Sequence, residues 1–141
     1  MYYADYLNSL AVCPFCERVN RAIVQSSKGF LTYALSPYHK HHLLVIPNRH
    51  VESLSDMDSL EIEDIDFLQM RALEILKKLN YTSISLLVRE GNVENKSINH
   101  VHFHIIPNIR IGVLDHNGEK RRILSDGEIN STIEDIEKVN R

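Results

Sequence analysis

What this chain lacks narrows its class before any motif is read. Its 141 residues contain no run approaching the ~20 apolar positions that span a bilayer. Met1-Tyr2-Tyr3-Ala4-Asp5 has no basic segment leading into an apolar run, so no secretory signal is expected and a cytoplasmic setting is. A basic excess is missing too. The formal net charge is −3, with 16 Lys and Arg against 19 Asp and Glu, which leaves no electrostatic footprint for nucleic acid. Cysteine is scarce: both residues lie in Cys13-Pro14-Phe15-Cys16, so a disulfide framework is not expected and metal or redox use is. No Walker-type glycine loop occurs, so a magnesium-bound triphosphate cradle is not implied. There is no internal repeat or low-complexity tract.

What is present fits one soluble globular domain spanning 1–141, long enough to bury a sizeable core, with 43% hydrophobic and 25% charged residues. Histidine stands out. Seven of eight fall within residues 39–50 and 100–104, and three alternate in His100-Val101-His102-Phe103-His104-Ile105-Ile106-Pro107. Strict alternation predicts a strand with the imidazoles on one face and Val101, Phe103 and Ile105 on the other. Neighbouring histidines would stand roughly 6.5–7 Å apart, so three cannot easily converge on one ion. Two could ligate a metal, or the middle one could act as nucleophile or base while its neighbours hold its tautomer.

Around that stretch the pattern is mixed. Arg21–Gln25 and Phe30–Leu35 predict a hairpin across Ser27-Lys28-Gly29, and His42–Pro47 a central strand buried on both faces. Apolar residues at three- and four-residue steps predict one long helix over Ser59–Leu79, with Ser55 or Asp56 as candidate caps. Ser83–Arg89 reads as a further strand, and Ile129, Ile133, Ile136 and Val139 predict a C-terminal helix from about Ser125. Strands, one long helix, then more strands argue for an α+β fold with a mainly antiparallel sheet of about five strands. Cys13 and Cys16 offer half a tetrahedral zinc site, or a redox dithiol of the glutaredoxin kind, which would need a βαβ unit around it. His39 and His41 lie in a loop and read as solvated.

The seven-position pattern His-φ-His-φ-His-φ-φ resembles the signature of the histidine triad (HIT) superfamily of nucleotide hydrolases and transferases. The likeness covers about residues 13–110 and leaves 116–141 as a C-terminal extension. It implies a HIT-like fold, a small-molecule nucleotide substrate and a homodimer, while the charge balance and the lack of a long apolar run leave no nucleic acid or membrane partner expected. It implies His102 as the nucleophile that attacks an α-phosphate and carries the nucleotide covalently. His100 and His104 would be its catalytic neighbours, and His42, Asn92 and Ser97 substrate-binding residues. Some members of the family complete an N-terminal Cys-x-x-Cys with two histidines around a structural zinc. Here that set is Cys13, Cys16, His50 and His100. The leaving group would be an amine, as in a nucleoside phosphoramidate, or a nucleotide, as in a dinucleoside polyphosphate. Ala34 stands where many relatives hold the ribose with an acidic or amide side chain, which favours the rival reading of a nucleotide-binding or zinc-stabilised interaction module without turnover. Lys96, just before Ser97, would favour a more highly charged leaving group.

Overall fold

The structure, a computed structural model, describes residues 2–17, 21–91, 98–109 and 123–139. These group into two units, Met1–Ile111 and Gly112–Arg141. The first opens with two short helices, α1 (Tyr3–Ser9) and α2 (Pro14–Glu17), the latter starting on a proline whose missing N–H a first helical turn does not need. Five strands follow: β1 (Val24–Gln25), β2 (Gly29–Tyr33), β3 (Leu43–Pro47), β4 (Ile84–Val88) and β5 (Phe103–Pro107). They form one antiparallel sheet in the order β1-β2-β3-β5-β4, with the long helix α3 (Ser59–Lys78) between β3 and β4. The second unit carries α4 (Asp126–Val139).

The sheet has two buried faces because β3, its central strand, is apolar and buried at every position. On one face Leu31, Leu43, Val45, Val101 and Ile105 pack against Ile65, Leu68, Ala72 and Leu76 of α3. On the other, Phe30, Leu44, Ile46 and Ile98 pack with Phe15 of α2 and Leu7 of α1. At about 1.5–3 kcal/mol per fully buried large apolar side chain, β3 alone justifies its central position. The helix approaches the sheet closely at Gly29. A Cβ there would lie 3.0 Å from the Ile46 carbonyl oxygen and 3.2 Å from Leu68 Cδ1, so the smallest residue stands where the layers touch.

Two sequence expectations need correction. The cap of α3 is neither Ser55 nor Asp56, which lie in a 3-10 turn (Leu54–Asp56) that Ser53 caps. The cap is Asp58: its Oδ1 accepts the Glu61 N–H at 2.9 Å, and Glu61 Oε1 accepts the Asp58 N–H at 3.1 Å. Glu61 also takes Arg49 Nη2 at 2.7 Å, which ties the chain leaving β3 to the start of α3. The triad strand is also shorter than expected, because its ladder begins at Phe103. Upstream, the Val101 N–H donates to the Val51 carbonyl at 2.7 Å, so the exit of β3 holds this segment and His100 leaves the line of the strand.

Candidate active site

Register decides which histidines meet. Leu44 pairs with His104 across β3 and β5, so their side chains leave the same face, opposite α3. His42, just before β3, lies diagonally across, and its Nε2 is 2.9 Å from His104 Nδ1. His102 sits between the two neighbours of the triad strand, its ring 4.9 Å from that of His104 and 4.9 Å from that of Phe15. His42, His102 and His104 line a cleft of about 240 Å³ with Tyr6, Phe15, Ala34, Tyr38, Arg89 and Ile98.

The hydrogen bonds assign the tautomers. His102 Nδ1 lies 2.7 Å from the His100 carbonyl, which only accepts, so the proton is on Nδ1 and the lone pair on Nε2. A second chain starts at the Tyr38 backbone N–H, which donates to His42 Nδ1 at 3.2 Å. Neutral His42 therefore carries its proton on Nε2 and donates to His104 Nδ1, and neutral His104 carries its own on Nε2. Both rings are held neutral. Burial, reinforced by the charges of His102 and Arg89, pushes His42 down to about 4. Burial, with His102, His42 and Arg89, pushes His104 down to about 3. The chain ends in a donor without an acceptor: His104 Nε2 is buried and has no hydrogen-bond partner among the described residues. Such a group is costly unless a ligand oxygen meets it, by about 1–3 kcal/mol.

The first triad histidine faces elsewhere. His100 is fully buried, and its Nδ1 lies 3.4 Å from Cys13 Sγ and 3.6 Å from Cys16 Sγ. His50 Nδ1 lies 3.2 Å from Cys16 Sγ, and all four donor atoms fall within 4.8 Å of one another. Tetrahedral zinc with 2.0–2.3 Å bonds sets its ligands about 3.3–3.8 Å apart, so the set fits such an ion. The outer nitrogens fit as well. His100 Nε2 donates to the Pro47 carbonyl at 2.9 Å and His50 Nε2 faces Glu52 Oε1 at 3.2 Å, which leaves both Nδ1 lone pairs on the shared centre. The dithiol alternative fits poorly, because the cysteines flank the start of α2, which is followed by the antiparallel pair β1–β2 rather than by a βαβ unit. An ion shared by His100 and His102 has no place either, since both nitrogens of His100 face other partners.

Of the residues singled out in the sequence, His42, His102 and His104 share one cleft, and Cys13, Cys16, His50 and His100 a second cluster. Asn92, Lys96 and Ser97 lie outside the described residues. His39 and His41 are half-buried rather than solvated: His41 Nδ1 lies 2.5 Å from Tyr81 Oη, and His39 packs edge-on against the same ring. Sequence reasoning missed Phe15, Tyr38 and Arg89. For Arg89 a signal existed, the antiparallel alignment of Ser83–Arg89 with the triad strand. For Phe15 only its place between the cysteines marked it.

Comparison with known proteins agrees with this geometry. The model of the HIT domain family matches residues 17–110. An uncharacterised HIT-like protein of Methanocaldococcus jannaschii is 33% identical over 101 residues, 68% of this chain and 78% of that protein. The adenosine 5'-monophosphoramidase hnt1 of Schizosaccharomyces pombe is 31% identical over 100 residues, 67% of this chain and 73% of that protein. In fold, the chain resembles a histidine triad nucleotide-binding protein from Candida albicans, with TM-score 0.70 and 19% identity over 90% of this chain and 96% of the other. The sheet order, the triad and the match over most of its length agree, and the chain belongs to the HIT domain family.

Proposed function

We propose that the protein is a nucleotide hydrolase or nucleotidyl transferase that cleaves at an α-phosphate through a nucleotide covalently held on His102. The observation that carries this reading is the tautomer assignment: His102 Nδ1 is tied to the His100 carbonyl, and the lone pair of its Nε2 stands in the cleft that His104 Nε2–H also lines. The Nε2 lone pair attacks phosphorus and the P–N or P–O bond breaks with its electron pair on the leaving group, an amine taking a proton from solvent as it departs. Water then attacks phosphorus, returning the electron pair to His102 Nε2 and its own proton to solvent. His104 Nε2–H binds a phosphate oxygen, and the Tyr38–His42 chain holds that proton in place. His42 is thus a positioning residue. Asn92 and Ser97 are proposed as further phosphate and leaving-group contacts. The Schizosaccharomyces pombe relative bears the name of an adenosine 5'-monophosphoramidase, which supports a nucleoside phosphoramidate as one substrate class.

We assign zinc to Cys13, Cys16, His50 and His100 as a structural ion. When bound, it closes the N-terminal knuckle onto the segment that holds the His100 carbonyl. A cytoplasmic setting, which keeps both thiols reduced, suits such a site. A homodimer is proposed from the family likeness.

The deciding test is intact-protein mass after acid-free quenching of wild type and His102→Ala incubated with adenosine phosphoramidate or a diadenosine polyphosphate. A nucleotidyl adduct on wild type alone is the expected result. Protein that binds adenosine monophosphate yet yields neither adduct nor product would instead be a binding module, the reading that Ala34 on the cleft wall favours.

A further inference from the structure

The cleft holds one cation and, among the described residues, no carboxylate. That cation is Arg89, the residue after the end of β4. The β4–β5 register pairs Leu87 with His104 and Val88 with Phe103. Continued by one residue, it sets Arg89 opposite His102. Opposed residues of antiparallel strands leave the same face with Cβ atoms about 4.5–5.5 Å apart, and just past the end of this ladder Arg89 and His102 both line the cleft. The longer arginine stem can carry its guanidinium beyond the imidazole.

Among the described residues no carboxylate pairs with this charge, and none of their ion pairs involves Arg89. The adjacent Glu90 turns away: its carboxylate accepts Ser53 Oγ at 2.6 Å and the Leu54 N–H at 2.8 Å. Arg89 itself is exposed, so a ligand entering the cleft can reach it. Its charge also reaches the imidazoles, being one cause of the lowered values of His42 and His104. A planar fork of donors beside a phosphorus-binding nucleophile suits a second phosphate, which it can bind in bidentate fashion.

We propose that Arg89 determines specificity by binding phosphate on the leaving-group side of the scissile bond, so that the protein prefers polyphosphate or nucleotide leaving groups to amines. This rests on the proposed attack at the α-phosphate. His102 and His104 serve that phosphate, whose charge is common to both substrate classes. Arg89 discriminates because only polyphosphates place further negative charge beyond it.

The test has two arms. In the first, kcat/KM is measured for diadenosine tetraphosphate and for adenosine phosphoramidate with wild type, Arg89→Met and Arg89→Lys. Methionine keeps the stem without the charge and should lower the polyphosphate-to-phosphoramidate ratio at least tenfold, with lysine restoring part of it. Equal losses on both substrates would overturn the proposal. In the second, His102→Ala removes turnover, and titration with AMP and ATP reads charge recognition alone. ATP should bind at least tenfold more tightly than AMP, with a steep dependence on salt, and Arg89→Met should abolish that margin. A margin that survives the substitution overturns the proposal. If wild type forms neither adduct nor product, the nucleotidyl-transfer reading fails, while this binding arm still decides the role of Arg89.

Discussion

At the scale of single residues, the paired imidazoles of the cleft work through proton positions rather than through charge. A backbone N–H at Tyr38 dictates the tautomer of His42, and His42 dictates that of His104, so two neutral rings end in one donor aimed at the site. This has a consequence for stability. A histidine whose folded pKa lies below its ordinary 6.5 binds its proton more readily in the unfolded chain, so it penalises folding as acid is added. The contribution of the pair is complete above pH 6.5. It is lost progressively towards about 4 for His42 and about 3 for His104. Urea midpoints should therefore fall between pH 7 and pH 4.5, and fall less in His42→Gln. A midpoint constant over that range would contradict the neutral pair.

At the scale of elements, the ends of α3 matter more than its interior to what surrounds the cleft. Its start holds the exit of β3 through Glu61 and Arg49, the residue just before His50 of the cysteine–histidine cluster. Its end is closed by Asn80, whose φ of 69° lies in the left-handed region. The Asn80 N–H bonds to the Lys77 carbonyl at 2.9 Å and the Tyr81 N–H to the Leu76 carbonyl at 3.1 Å, a Schellman closure that delivers Tyr81 to His39 and His41. Asn80→Ala should destabilise the protein by about 1 kcal/mol, because alanine tolerates that conformation poorly, whereas Asn80→Gly should not. Equilibrium unfolding of the two variants separates backbone strain from loss of the asparagine side chain.

At the scale of the whole molecule, one residue belongs to both clusters. His100 gives its ring to the Cys13, Cys16 and His50 group and its carbonyl to His102. Metal removal should act on the fold first. Elemental analysis should find one zinc per chain in wild type and none in a Cys13→Ser/Cys16→Ser variant, whose melting temperature should drop by several degrees or more. Turnover per folded molecule after brief chelation should change little. Full inactivation with the fold intact, reversed by added zinc, would instead assign the ion to the chemistry.

Much of this was legible in the chain. The apolar run of β3, the three-and-four periodicity of α3 and the alternating triad are local patterns, and local periodicity determines which face of an element is apolar. The α+β class and the five-stranded sheet follow from their order. Family membership was legible in seven consecutive positions, and the four-donor set could be named from that likeness. The tertiary structure alone decided what depends on register and on contacts between distant segments. The bond from Val101 to Val51 turns His100 aside, Tyr38 sets a tautomer across two rings, and the pairing of β4 with β5 brings Arg89 into the cleft that His102 lines. No spacing in the sequence encodes these, because a strand's own pattern says which face a side chain takes and not which residue of another strand stands next to it.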